Sequence, residues 1–476
     1  MNFLGKLALA AMTLVPGLAN ALQLPDIFSP NMVLQQKSNV AMWGWADPSS
    51  EVTIVTSWNG KSYTAHADRT GRWDVRIATP EASYTPYNII VKEGNTTVDL
   101  DNVLIGEVWF ASGQSNMEMP LRGFWGAPVE GAQKAIAESG KYKKAIRFVT
   151  VPKVEALVPQ DSVGGKWVEC EPANAPEFSA AGYFFARQLN DIIDVPVGVI
   201  NCSWGGSKLE GWLPEDILKT YSDVNLGDAT DPEVGQYSRP MIMFNGMLNP
   251  LAGYTVKGFL WNQGESNVGR DDTYAERFAQ MINLWRDMWS EPDAPVYLVE
   301  IPPYISGDEQ GTWSAKLREA QQRIPSILPH SGVVCSSDLA TDGMSYQIHP
   351  AKKREVGERL AYLAAVNDYG VKGIECQSPT FNSMEVNGNE AILTFDNAYD
   401  GFTPEKDMEG FEVAGADRVF YPAHAEAVYT DRPRIKLTSD KVNDIVAVRY
   451  CFKNWAPGKV WSLRGLPIVP FRTDNW

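Results

Sequence analysis

Residues 108–117 have the sequence Val-Trp-Phe-Ala-Ser-Gly-Gln-Ser-Asn-Met. Its apolar first half is typical of a buried strand, and the glycine and polar residues that follow predict a tight turn. Where a strand turns sharply into a helix, a serine hydroxyl can stand exposed while backbone N–H groups point at the same place. Ser115 is therefore a candidate nucleophile.

The best candidate for a base that would activate this serine is His349, which lies in an Ile-His-Pro sequence just before a helix-like run. The chain has only four histidines. Two of the others lie in regions with β patterns, and the third lies in an apparent loop. A histidine beside a serine can take the proton of its hydroxyl. The pair predicts hydrolysis of an ester or an amide, with no metal and no organic cofactor.

Between about residues 103 and 370, strand-like and helix-like stretches alternate. The strand candidates are 107–111, 197–200, 258–261, 296–300 and 332–336, and the helix candidates include 180–189, 274–289 and 352–365. Alternation of this kind, with strands that are apolar throughout, predicts an α/β fold in which helices cover both faces of a parallel sheet. Ligands bind such sheets beyond the carboxyl ends of the strands, which is where the candidate motifs lie.

The sequence on either side of this segment predicts smaller β domains. Short β-branched or alternating runs, separated by Gly, Asn and Asp, occupy residues 22–101 and return in residues 373–476. This pattern is typical of small sandwiches. We therefore expect an N-terminal β domain (22–101), an α/β domain (102–372) and a C-terminal β domain (373–476). Either β domain could bind glycan, but a buttressing role is favoured because the sequence offers no dedicated aromatic platform.

Residues 1–21 predict a signal peptide. Lys6 precedes a short apolar run, and Ala19-Asn20-Ala21 fits the usual cleavage pattern. Later runs are too short or too polar to span a membrane. We expect a mature chain that begins near Leu22 and is periplasmic or extracellular.

Composition excludes some partners and some chemistry. The net charge is −16, from 42 basic and 58 acidic side chains, which opposes binding to nucleic acid. The five cysteines have irregular spacings that match no metal or redox motif. We interpret them as core residues and leave their pairing open.

Two more motifs follow predicted strands. In Cys-Ser-Trp-Gly-Gly-Ser, residues 202–207, the pair Gly205 and Gly206 allows close approach of the backbone and offers N–H groups to an oxyanion. In Trp-Asn-Gln-Gly-Glu-Ser-Asn, residues 261–267, the carboxamide of Gln263 could donate in the same way. Taken singly, the first is equally typical of a tight turn and the second of a polar strand cap.

Together these motifs resemble the SGNH hydrolases, a superfamily of serine esterases on a flavodoxin-like sheet, and most closely their sialate O-acetylesterase branch. The resemblance covers nearly the whole mature chain. It rests on segments 106–109, 113–117, 244–250, 261–267, 348–360, 465–467 and 471–474.

The resemblance implies a role for each candidate residue. Ser115 would be the nucleophile and His349 its base. The oxyanion hole would combine the N–H of Ser115, an N–H at Gly205 or Gly206, and the side chain of Gln263. The remaining candidates are expected to contact substrate; they are Gln114, Asn116, Asn245 and Glu265.

The chain departs from the pattern of the branch at Gln347. Many relatives have an aspartate there, two residues before the histidine, and it orients the ring. A carboxamide can accept a hydrogen bond from the ring but cannot balance the charge of an imidazolium. Either the site works as a Ser–His dyad or another acid substitutes, and Asp338 and Asp342 are the nearest candidates. The departure also leaves open a catalytically inactive relative.

The sequence thus predicts an exported carbohydrate O-acetylesterase, with O-acetylated sialic acids as the expected substrate. Two alternatives stay open. One is an esterase for acetylated xylan or other hemicellulose, and the other is a carbohydrate-binding protein with a dead site. A sialate carboxylate would call for a cation, and Arg122 and Arg239 are the candidates. The sequence does not fix the oligomeric state.

Overall fold

A computed structural model describes residues 22–476. The predicted signal peptide lies outside the described residues. The N-terminal part is built from seven strands: β1 (Val33–Gln35), β2 (Asn39–Trp45), β3 (Glu51–Thr56), β4 (Ser62–His66), β5 (Arg72–Ala78), β6 (Ser83–Glu93) and β7 (Thr96–Gly113). β2 pairs with β5, while β3 pairs with β4 and β6, and β6 pairs with β7, all antiparallel.

Six further strands build the sheet in the middle of the chain: β8 (Ile146–Thr150), β9 (Val168–Glu169), β10 (Val197–Ser203), β11 (Gly258–Asn262), β12 (Val296–Val299) and β13 (Ser331–Val334). The order across the sheet is β13-β12-β11-β7-β10-β8-β9. All neighbours are parallel except β8 and β9. The predicted parallel sheet is confirmed. Strands β11, β12 and β13 lie on one side of β7, and β10, β8 and β9 lie on the other. The strand order therefore reverses at β7, which is the topological switch point of the sheet.

Seven helices accompany the sheet: α1 (Ser115–Glu118), α2 (Ala132–Glu138), α3 (Ala180–Ile193), α4 (Glu215–Leu218), α5 (Tyr274–Trp289), α6 (Trp313–Ile327) and α7 (Lys353–Asn367). Alternate residues of β7 face opposite sides of the sheet. Trp109 packs edge-on against Phe185 of α3, and Phe110 packs against Trp289 of α5. α3 and α7 therefore cover one face, and α5 and α6 cover the other. β8 and α6 were not among the predicted elements.

β7 belongs to two layers of the molecule. It has 18 residues, and its first half pairs with β6 while its second half pairs with β10 and β11. The predicted boundary between residues 101 and 102 falls inside this strand. The N-terminal strands and the parallel sheet consequently share one continuous apolar core.

The C-terminal part has its own core and ten strands: β14 (Thr380–Asn387), β15 (Glu390–Asp396), β16 (Phe402–Thr403), β17 (Phe411–Ala414), β18 (Phe420–Pro422), β19 (His424–Tyr429), β20 (Pro433–Thr438), β21 (Ala447–Tyr450), β22 (Trp461–Ser462) and β23 (Phe471–Arg472). They form two four-stranded antiparallel sheets and one pair. Asn454 joins this part to the α/β core, because its side chain accepts from the N–H of Ser314 and donates to the carbonyl of Asp308.

The five cysteines are all unpaired, and four of them are buried. Among residues 22–476, we find no helix that has both the length and the apolarity to cross a membrane.

The contact between α3 and α7 gives a test of this packing. A β-carbon at Gly357 would lie 2.5 Å from the backbone nitrogen of Phe185 and 2.7 Å from the carbonyl oxygen of Ala181. We expect Gly357→Ala to lower the free energy of unfolding by about 1–3 kcal/mol, because the helices must move apart. Chemical denaturation measures this, with Gly140→Ala as control, since its nearest new contact would be at 3.6 Å. Equal stability of the two variants would contradict the close packing.

Candidate active site

Ser115 lies at the carboxyl end of β7, directly above the switch point. The turn that carries it is tight because Gly113 has φ of +132° and approaches β11 closely. A β-carbon at Gly113 would lie 2.2 Å from the carbonyl oxygen of Asn262, and that same oxygen accepts the N–H of Gln114 at 2.9 Å. Only glycine fits such a position. This local constraint turns Ser115 into the first residue of α1.

The backbone N–H of Ser115 is available to a ligand. At the first position of a helix, an N–H has no acceptor within the helix. The Ser115 side chain is half-buried, and the partly enclosed space at its hydroxyl is called the recess below. Among residues 22–476, neither this N–H nor the hydroxyl has a hydrogen-bond partner.

The fold brings the His349 segment to this serine. The side chain of Asn116 donates to the carbonyl of Ile348 at 3.1 Å. The residue after the serine is thus bonded to the residue before the histidine, across 232 positions of sequence. The His349 ring itself packs edge-on against Phe124, with centroids 5.4 Å apart.

The environment of His349 keeps its imidazole neutral. Burial, and to a smaller extent the nearby Lys353 ammonium, together lower its pKa to about 4. The described residues give the imidazole nitrogens no hydrogen-bond partner. A neutral ring with a free nitrogen is the form that accepts a proton from a hydroxyl.

No carboxylate takes the orienting position beside His349 within the part of the chain that the structure describes. The Gln347 side chain accepts from the backbone N–H of His349 at 3.1 Å and donates to the carbonyl of Gly126 at 3.2 Å, so it holds the backbone and not the ring. Asp338 is also engaged elsewhere: it forms a two-pronged ion pair with Arg359 at 2.7 Å and accepts from Trp461 at 2.9 Å. Neither side chain is hydrogen-bonded to the imidazole, and of the two alternatives that the sequence left open this favours the dyad.

Two of the predicted oxyanion donors are occupied. The N–H of Gly205 donates to the carboxylate of Glu118, whose other oxygen accepts from Lys153 at 2.8 Å. The amide group of Gln263 is fully buried. It donates to the carbonyl of Ser207 at 3.0 Å and to the side chain of Asn267 at 2.6 Å. The prediction for Gln263 is corrected here: both of its N–H groups serve the packing beneath the site.

The N–H of Gly206 remains as a donor on the other side of the serine. It has no acceptor among the described residues. Its neighbour Gly205 lies close to the nucleophile, since a β-carbon there would stand 3.4 Å from Cβ of Ser115. Gly206 itself has φ of +80°, and this turns the chain at the edge of the recess.

Beneath the serine lies a buried polar cluster of Asn116, Glu265 and Lys353. Asn116 donates to the Glu265 carboxylate and accepts from the Lys353 ammonium at 2.5 Å. Burial raises the pKa of Glu265 and lowers that of Lys353 to about 7, and the opposite charge of each partner opposes these shifts. The cluster connects three motifs that are far apart in sequence. The buried position of Lys353 was not predicted, because the sequence shows only a lysine at the start of a helix.

The residues expected to contact substrate belong to the scaffold. Gln114 is buried, and its side-chain oxygen accepts from the N–H groups of Gly264 and Ser266 at 3.3 Å. Asn245 is buried in a short helix and donates to the carbonyl of Ala156 at 3.2 Å. Asn116 and Glu265 belong to the polar cluster, so all four side chains are hydrogen-bonded within the protein. Their contact with substrate stays a prediction.

The two candidate cations are both paired. Arg122 donates to Glu177 at 2.7 Å on the surface. Arg239 donates to Glu155 at 3.1 Å and to the carbonyls of Val234 and Asp231. Neither guanidinium is held ready for an anionic sugar.

A family model described as a carbohydrate esterase, sialic acid-specific acetylesterase, matches residues 105–365. Sialate O-acetylesterases from Pongo abelii and Homo sapiens are 27% and 26% identical to this chain over 459 residues, with 89% of this chain and 86% of theirs covered. The crystal structure of a carbohydrate acetylesterase from Xanthomonas citri superposes with a TM-score of 0.84 at 33% identity. That match covers 96% of this chain and 100% of the other.

The α/β sheet and its serine corner, together with these similarities, define the protein as an esterase of carbohydrates. The chain belongs to the family of sialic acid-specific acetylesterases.

Lys353 gives a test of the electrostatics at this site. Removing its charge in Lys353→Met should raise the pKa of His349 toward its ordinary value of 6.5. Since only the neutral imidazole accepts a proton, the acid limb of the profile of kcat/KM against pH should move to higher pH. The shift is expected to be partial, because burial is the larger cause of the low pKa. The neighbouring Lys352→Met is the control, and an unmoved acid limb in Lys353→Met would contradict the assignment.

Proposed function

We propose that this protein removes acetyl groups from O-acetylated sugars by a serine–histidine mechanism. The observation that carries the proposal is the hydrogen bond by which Asn116, next to the half-buried Ser115 at the switch point of the sheet, holds the loop of the neutral His349. The family and the similar acetylesterases support the same chemistry.

In the first half of the reaction, His349 takes the proton of the Ser115 hydroxyl as its oxygen attacks the acetyl carbonyl. The tetrahedral intermediate then collapses as His349 returns the proton to the sugar oxygen, which leaves as an alcohol. In the second half, His349 activates water against the acetyl-enzyme, and acetate is released. The free N–H of Ser115 and that of Gly206 are the donors suited to the developing oxyanion. Removing one such donor typically costs about 2.7–4 kcal/mol of transition-state stabilisation.

The proposed mechanism is a dyad. Among residues 22–476 no carboxylate is placed to balance the imidazolium, and the nearby Lys353 charge disfavours it. The Phe124 ring packs against the imidazole, and the Gln347 side chain accepts a hydrogen bond from the His349 backbone N–H, so these two contacts hold the ring and its loop. Such a dyad stabilises the imidazolium less than a triad with a carboxylate would. In return, its histidine stays neutral at mildly acidic pH.

We propose O-acetylated sialic acids as the substrate, because the family and the curated relatives carry that specificity in their descriptions. A second candidate is a neutral acetylated sugar such as those of hemicellulose. One observation favours it: Arg122 and Arg239 are each paired with a glutamate, so neither offers its charge to a sialate carboxylate.

Acetate release from matched panels tests both the mechanism and the substrate. One panel holds O-acetylated sialic acids and the other holds acetylated xylo-oligosaccharides. We expect Ser115→Ala and His349→Ala to lose about 10⁴-fold or more in kcat, because nucleophile and base act as a unit. His330→Ala is the matched control, since that histidine is exposed and lies 3.5 Å from Asp293.

Faster release from the sialate panel would support the main substrate, and a preference for xylo-oligosaccharides would support the second. Full activity in Ser115→Ala would contradict the mechanism. A wild-type protein that binds these sugars but releases no acetate would be the inactive relative.

We also propose that residues 1–21 direct export, on the strength of their sequence pattern. Mass spectrometry of the protein recovered from its native host should find a mature N-terminus near Leu22, in the periplasmic or extracellular fraction. An intact Met1 in a cytoplasmic fraction would contradict this.

A further inference from the structure

Trp125 is an exposed tryptophan that folding leaves uncovered. Its relative exposure is 105%, which is that of a side chain with no neighbours. A large apolar ring in contact with water is unfavourable by about 25 cal/mol for each Å² of apolar area. An isolated exposed apolar residue is common on protein surfaces, so the position of Trp125 decides what its ring can do.

The backbone holds Trp125 at a defined point. The N–H of Phe124 donates to the carbonyl of Ala127 at 3.0 Å, and the N–H of Ala127 donates back at 3.1 Å. Trp125 and Gly126 form the two-residue tip of this tight turn, where Gly126 has φ of +76°. The indole is therefore carried at the tip of a hydrogen-bonded turn within the connection between α1 and α2.

This turn is attached to the loop of the catalytic base. The ring of Phe124 packs on His349, and the side chain of Gln347 donates to the carbonyl of Gly126 at 3.2 Å. The residues on both sides of Trp125 thus contact the His349 loop. The indole stands at the edge of the site, on the side of the histidine.

A second exposed aromatic ring lies near the glycine pair that adjoins the serine. Tyr237 is 50% exposed, and its ring covers Gly206, where a β-carbon would lie 2.9 Å from it. Gly206 adjoins Gly205, which approaches Ser115. One exposed aromatic ring is thus attached to the His349 loop, and another lies against the glycine pair next to Ser115.

We propose that Trp125 forms a saccharide subsite, on which a sugar ring next to the acetylated one stacks its apolar C–H face. The proposal rests on the proposed function and deepens it: the substrate would be an oligosaccharide and not a free acetylated sugar. Stacking on an indole needs no charge, which agrees with the pairing of Arg122 with Glu177 nearby in sequence. Aromatic faces are well suited to such contacts because they bury a large apolar area with little loss of side-chain freedom.

Binding in the Ser115→Ala background tests the subsite without turnover. The probes are an O-acetylated sialyl-oligosaccharide, an acetylated xylotetraose, and the monosaccharide that carries the same acetyl group as each. Adding Trp125→Ala should weaken binding of the preferred oligosaccharide about tenfold and affect the monosaccharide far less. Trp125→Tyr should retain most of the affinity. Tyr399→Ala is the matched control, because that ring is also exposed (74%) but lies in the C-terminal part.

Several outcomes would overturn the subsite. In one, the oligosaccharide binds equally tightly to Ser115→Ala with and without the added Trp125→Ala change. In another, the protein binds the oligosaccharide no more tightly than the monosaccharide. Light scattering that shows self-association lost in Trp125→Ala would assign the ring to a second copy of the chain. The proposed function fails separately: it falls if the wild-type protein hydrolyses no acetylated sugar, whatever the binding results are.

Discussion

The hydrogen bonds of one side chain, Asn116, hold the site together. Asn116 follows the nucleophile, and it bonds at once to Ile348, to Glu265 and to Lys353. Each partner belongs to a different segment of the chain. Because the cluster is buried, losing any one bond would leave polar groups unsatisfied in a medium of low dielectric constant, where they are costly. The position of His349 relative to Ser115 depends on this set of contacts.

The strand β7 likewise connects separate parts of the molecule. β7 begins in the N-terminal β layer and ends as the central strand of the parallel sheet. The N-terminal layer is therefore anchored to the strand that presents the nucleophile, and its core is continuous with the core under α5 and α6. The C-terminal sheets contact the α/β part of the molecule through Asn454 and through the hydrogen bond from Trp461 to Asp338. That contact explains why Asp338 is committed to structure.

The electrostatics of the site follow from burial more than from an acid partner. The polar cluster lies near the half-buried imidazole, and burial first and the Lys353 charge second lower the pKa of His349. The rings of Trp125 and Tyr237 are exposed. The site thus combines a buried polar interior with aromatic side chains that face the solvent.

The α/β class, the strand–turn–helix corner at Ser115 and the bounds of the helix Tyr274–Trp289 could be predicted from the sequence, and the structure has all three. These are local patterns, and local periodicity and turn chemistry are legible in a single chain. Which hydrogen-bond donor bonds to which acceptor at the site is visible only in the tertiary structure. Gln263 turned inward, Gln347 bonded to the backbone, Lys353 became buried and Trp125 stayed exposed. The physical reason is that the partners of each group come from residues far away in sequence, which only folding brings into contact.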